Sequence, residues 1–240
     1  PQQGPVDHIA ELNKITDKDA QTPFRAKIDE YVAMLDVTQV EAGIVYVKET
    51  DGSYSVVKPT KVTFSKVTFS VADITKDAEL GIHLHHNYAL SGKRTVPPPT
   101  SRDVFTFSKN FSRVYNISSK KNSKWTGIVV SRNGLYAIRA IDIKKVVDFY
   151  NSLSDNLENE IREMYDEEVI KKANNSTIDF CSTPPGCTDE QINETQDINL
   201  DERFIEFIKI INQKYNAGIG LFKGTLNTET GNYDWQQVSD

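Results

Sequence analysis

The chain has 240 residues, 38% of them hydrophobic and 26% charged, with a formal net charge of −6. That length supports one good core with perhaps a smaller second unit, and the composition is that of a soluble globular protein. The acidic balance argues against a general nucleic-acid binder, which needs a basic face, and no apolar run approaches the ~20 residues of a membrane span.

Residues 1–21 open at Pro1 rather than Met, and no signal-peptide pattern is present, which suggests a processed or excised piece. The segment reads as a leader or linker, with a short helix allowed by Val6, Ile9, Leu12 and Ile15. Thr22 and Pro23 then cap and open a helix to about Leu35, with Phe24, Ile28, Tyr31, Val32 and Leu35 as its core stripe. Glu41–Lys48 reads as an inner strand, Asp51-Gly52 as a hairpin turn and Tyr54–Val57 as the return. A near-repeat follows, Lys61–Ser65 and Lys66–Ser70. Its odd period conflicts with strand alternation, so either both faces are covered or the chain bends or bulges near Ser65.

Asp73–Glu79 is a polar connection, Gly81–His86 a strand and Asn87–Pro99 a loop with Ser91-Gly92 and three prolines. Thr100 or Ser101 caps a helix carrying Val104, Phe105, Ser108 and Phe111. Trp125–Ser131 and Gly134–Ile141 form a hairpin around Asn133-Gly134. The periodicity predicts one long helix from about Ile143 to Lys172, whose acids form a solvated face. Residues 174–200, rich in Asn, Thr, Pro and acids, read as a long loop. A helix from about Asp201 to Asn216 follows, with Gly218 as its cap, and Leu221, Phe222 and Trp235 mark a closing hairpin. Cys181 and Cys187 flank Pro184-Pro185-Gly186 and either close a small disulfide loop or remain loop thiols.

Three of the four histidines fall at His83, His85 and His86. Strand alternation turns His83 and His85 to one face and Ile82 and Leu84 to the other. Two imidazoles two residues apart make half a metal site, and Asp103 supplies a third ligand after the loop, leaving a position for water. Two plain readings compete with this. A His-x-His pair can be the polar face of a strand, and an acid such as Asp103 is favoured in a first helical turn by the helix dipole alone.

The order of pieces resembles the JAB/MPN family, whose metalloprotease members carry the JAMM motif: an upstream Glu, then His-x-His, then Ser-x-x-Asp. The resemblance covers roughly residues 22–145. It implies an α/β fold with a mixed curved β-sheet flanked by helices, and it leaves residues 146–240 uncovered, as a C-terminal extension of the helices and closing β-hairpin read above from periodicity. It implies Zn2+ held by His83, His85 and Asp103, with Glu41 as general base and Thr100 at the oxyanion. Ser101 takes the place of Thr100 if the register slips by one. Glu49 is the other candidate for the upstream acid, and Glu41 is preferred because it precedes Ala42 and Gly43. The chain departs from the motif in Thr100, in His86 where the family has proline, and in a longer loop before Asp103. His86 is read as a bystander, the alternatives being a substitute ligand or a group behind the ligands.

The expected function is a zinc-dependent hydrolase of peptide or isopeptide bonds acting on a protein or peptide substrate. Within the family the chain looks most like bacterial JAB domains of large secreted or toxin proteins, for which the partner is an immunity protein. The alternatives are an inactive JAB-like binding domain and an unrelated α/β binding protein with surface histidines.

Overall fold

The computed structural model describes residues 6–87, 96–118 and 123–239. Residues 1–5 of the predicted leader and Ser91-Gly92 of the predicted loop lie outside that range.

The frame is a mixed sheet of seven strands in the order β2-β1-β5-β6-β7-β8-β9. These are β1 (Ala42–Lys48), β2 (Tyr54–Val57), β5 (Ala78–Leu84), β6 (Thr126–Ser131), β7 (Gly134–Ala140), β8 (Ile219–Leu226) and β9 (Tyr233–Ser239). β5 and β6 run parallel, and every other neighbouring pair is antiparallel. The parallel pair requires a crossover, and helix α3 (Ser101–Ile117) makes it. The last two strands therefore join the same sheet as the first five.

Helices cover both faces. On one, α1 (His8–Thr16) and α2 (Phe24–Met34) bury Leu12, Phe24 and Ile28 against Tyr46, Leu80, Ile82 and Leu84. On the other lie α3, α4 (Ile143–Ser152), α5 (Asp155–Tyr165), α6 (Lys172–Cys181) and α7 (Asp189–Tyr215). Their core joins Val45, Phe111, Val129, Ile161, Phe204 and Phe207. Successive residues of β1 go to opposite cores, which is why its sequence is continuously apolar. Among the described residues no helix is long and apolar enough to cross a membrane.

Several sequence expectations change. The helix at residue 22 starts at Phe24, and Pro23 rather than Thr22 is the N-cap residue. The two copies of the near-repeat pair with each other, as β3 (Lys61–Thr63) and β4 (Lys66–Thr68), with Val62 opposite Val67. A turn between the copies absorbs the odd period. The predicted Ile143–Lys172 helix breaks at Leu153, and Ser154 caps α5 by accepting from Leu157 N–H. α5 then runs through a π-helical turn, Asp166–Lys171, into α6.

The predicted 174–200 loop is mostly helix, because α6 extends to Cys181 and α7 begins at Asp189 rather than Asp201. Cys181 and Cys187 are joined by a disulfide across the turn between them. α7 ends with Asn216 in the left-handed conformation, φ 53°, two residues before the predicted cap Gly218.

Candidate metal centre

β5 alternates as its sequence dictates. Leu80, Ile82 and Leu84 enter the core beneath α1 and α2, and Gly81 and His83 turn to the opposite face, Gly81 against the Trp125 ring and His83 toward Asp103 of α3. The antiparallel register pairs Gly43 with His83 and Ala42 with Leu84. Glu41 directly precedes β1, where its N–H donates to the Thr63 carbonyl at 3.0 Å, and it lines the same cleft as His83 and His85. On the other side of β5, α3 starts with Thr100 as N-cap residue, which places Asp103 in the first helical turn.

These elements bring together three side chains. His83 Nε2 lies 3.1 Å from Asp103 Oδ1 and 3.2 Å from His85 Nε2. His85 Nε2 lies 3.5 Å from Asp103 Oδ2. One potential ligand atom from each residue falls within 4.8 Å of the others, so the triad can hold a metal ion.

The surroundings orient the donors. His85 Nδ1 is 3.1 Å from the Val96 carbonyl oxygen. A carbonyl only accepts, so Nδ1 carries the hydrogen, and in the neutral ring the Nε2 lone pair faces the triad. Asp103 Oδ2 accepts from Thr100 N–H at 2.6 Å and from the Thr100 hydroxyl at 2.8 Å. The contact that caps α3 therefore also fixes the carboxylate, and the helix-start reading of Asp103 and the ligand reading describe one arrangement.

Electrostatics fit this packing. Burial pushes the Asp103 carboxyl up, but His83 and His85 override it and hold it well below the usual range. Burial works against a charged His85, while Asp103, Glu41 and the Val96 carbonyl raise it to about 9. Glu41 is raised, chiefly by burial, with the two imidazoles opposing.

The triad opens into a cleft of about 520 Å³. Its walls include Phe64, Val67 and Phe69 from the β3–β4 region, Phe107 from α3, Trp125, and Arg162, Tyr165 and Asp166 from the end of α5. Thr100 and Ser101 line it beside the triad. Glu49 lies at the far end of β1, where it accepts from the Ser55 hydroxyl and lines a separate cleft with Lys76 and Asp77. His86 sits outside the triad: its Nε2 is 2.8 Å from the Phe64 carbonyl oxygen, and its ring meets the Phe64 ring edge-on at 4.7 Å. It ties the β3–β4 turn over the cleft, as does Arg102, which donates to the Ser65 carbonyl at 3.1 Å.

Sequence reasoning missed the cleft walls. Trp125 and Tyr165 reach it from positions 22 and 62 residues beyond Asp103, and neither carries a local signal of that role. No protein-family model, curated protein or solved structure matches the chain significantly.

Proposed function

We propose that the chain is a zinc-dependent hydrolase of peptide or isopeptide bonds with a JAMM-like site on a JAB/MPN-like fold. The observation that carries this reading is the convergence of His83, His85 and Asp103 beside Glu41 at the mouth of a cleft. Two imidazole nitrogens and a carboxylate, with room for water, form a donor set that suits zinc.

A zinc ion there would be held by His83, His85 and Asp103 and would supply Lewis-acid chemistry, lowering the pKa of a bound water and polarising a carbonyl. Glu41 is the base: its neighbours place it beside the triad, and burial raises its affinity for a proton. It takes a proton as the water oxygen adds to the carbonyl carbon and returns it to the amine nitrogen as the carbon–nitrogen bond breaks. Thr100 holds Asp103 in place through its N–H and hydroxyl. The one hydrogen of the Thr100 hydroxyl is thereby committed to Asp103, so Ser101, which lines the cleft next to it, is the hydroxyl left to donate to the developing oxyanion.

The test is the metal content of the purified chain after zinc is supplied, beside His83→Ala and Asp103→Ala. About one zinc in the parent and little in either variant supports the site, and peptide cleavage lost in Glu41→Gln supports the reaction. A folded parent that takes up no zinc rejects the reading.

A further inference from the structure

Three consecutive backbone carbonyls of the β3–β4 hairpin each accept a hydrogen bond from a segment that carries part of the candidate site. Thr63 accepts from Glu41 N–H at 3.0 Å, Phe64 from His86 Nε2 at 2.8 Å and Ser65 from Arg102 Nη1 at 3.1 Å. Glu41 is the proposed base, His86 directly follows His85, and Arg102 directly precedes Asp103. The donors lie just before β1, just past the end of β5 and in the first turn of α3. β5 and the strap that follows it, with α3, also carry the three candidate ligands.

The hairpin depends on such support. β3 and β4 form a sheet of their own, with three residues in each strand. A lone two-stranded hairpin is at best marginally stable in water. Lys61, Val62, Ser65 and Lys66 are exposed, so the first strand and the turn bury little. The apolar hold is on β4 and the chain after it. Val67 lies over Gly43, where an added Cβ would come within 2.7 Å of Val67 Cγ1, and Phe69 packs against the core on the α3 side. The turn itself is held by the three carbonyl bonds.

That turn is also a wall of the cleft, since Phe64, Ser65, Lys66, Val67 and Phe69 all line it. The wall and the ligands therefore share their supports. Fixing β5 and α3 relative to each other sets the separation of His86 and Arg102, and those two donors must meet adjacent carbonyls. Coupling of this kind is reciprocal: what firms the ligand set firms the hairpin, and what frees the hairpin weakens the ligand set.

We infer that His86 and Arg102 link the β3–β4 hairpin to the metal site, so that the cleft wall is firm when the triad holds a metal ion and loosens when it does not. Both act as positioning residues. The inference rests on the proposed metal site and names a regulation of it: the wall that faces a substrate is set by metal loading.

The test measures two quantities on the full chain: zinc affinity, by competition with a chelating dye, and the rate of tryptic cleavage after Lys66 with and without zinc. Cleavage of a transiently opened segment tracks its open population, and bound zinc should slow it about fivefold in the parent. Asp103→Asn should show no such slowing, which also reads any direct action of zinc on trypsin. Arg102→Met and His86→Phe should each speed cleavage after Lys66 and weaken zinc binding about fivefold, the worth of one lost hydrogen bond. His86→Gln keeps an N–H donor and should restore both quantities. A packing role for this buried ring would rank the two replacements the other way, because phenylalanine suits a buried position better than glutamine. Phe64→Ala acts from the hairpin, remote in sequence from every ligand, and should also weaken zinc binding. Arg102 is exposed, so Arg102→Met carries the comparison if a His86 variant does not fold. A parent that binds zinc with no change in cleavage after Lys66 overturns the inference and leaves the metal site standing, as does parental zinc affinity in both Arg102→Met and Phe64→Ala. A folded parent that takes up no zinc overturns the metal reading itself, and this inference with it.

Discussion

Asp103 and Asp201 are both largely buried carboxylates, and the molecule holds them in opposite ways. Asp201, on α7, accepts from the Tyr136 hydroxyl of β7 on one oxygen and from the Lys223 ammonium of β8 on the other. Nearby, Arg132 grips Asp197 with Nε and Nη2 at 2.6 and 2.7 Å. Together these contacts tie α7 to the sheet. Asp103 instead meets two imidazoles and the cap of its own helix, at the mouth of a cleft. An ammonium is a permanent cation and closes the account of charge. The His85 imidazole, raised to about 9, holds a proton that it can release to present a lone pair, so the Asp103 group can exchange that proton for a cation from outside, whereas the cation of the Asp201 group is part of a side chain.

Replacing each acid by its amide separates the two roles. Asp201→Asn should have the largest effect on folding. It leaves the Lys223 ammonium, only partly exposed, without its counter-charge, at a cost of about 3 kcal/mol by denaturant titration. Zinc content per folded molecule should stay at the parental value. Loss of zinc in that variant would show that the two groups are coupled rather than distinct.

Asp103→Asn should show the reverse pattern. A ligand at a hundredfold excess over its Kd stabilises the folded state by about 2.7 kcal/mol. The parent should gain that much when zinc is added, and Asp103→Asn should gain almost nothing. Equal zinc-dependent shifts in the melting temperature of both proteins would remove Asp103 from the ligand set.

The same contrast explains what was legible in the sequence. The His83, His85 and Asp103 cluster, which can hold a metal ion, was readable because its parts are local: a His-x-His on an alternating strand and an acid three residues after a helix cap. The strand hairpin at Asn133-Gly134 was readable for the same reason, since Gly134 takes φ 110°. The Asp201 group was not, because its members come from three distant elements. Residues 174–200 misled for a related reason. Their helices meet through a polar seam, where Gln196 donates to Asn174 and Asn199 to Thr177, each at 2.9 Å. Hydrophobic periodicity does not detect a seam of that kind, and the polar composition imitates a loop. The break at Leu153 hid because apolar residues continue across it at helical spacing. Glu41 and Glu49 could be ranked but not separated by sequence, and the strand between them places them at opposite ends.

Gly81→Val probes the open side more gently. Its new side chain would meet the Trp125 ring, and overpacking of this kind costs about 2 kcal/mol. Trp125 should shift, changing the intrinsic fluorescence, while the three ligands stay in place and zinc content holds. Unchanged fluorescence and stability would mean that Trp125 does not form the cleft floor beside β5.

Glu41→Gln should be the mildest change to the fold and the most severe to the proposed reaction. Burial already disfavours the charge at Glu41, so an uncharged isostere costs little, within about 0.5 kcal/mol. The amide keeps the size of the side chain and leaves His83, His85 and Asp103 intact, so zinc binding should persist. It cannot carry a proton between water and a leaving amine, so peptide cleavage should fall by at least about a hundredfold. Stability, zinc content and cleavage measured on one preparation distinguish this from Asp103→Asn, which should lose the metal as well as the activity. A Glu41→Gln protein that binds zinc and cleaves at the parental rate would assign proton transfer to another group at the cleft, and the place of Glu41 beside the imidazoles would then serve packing alone.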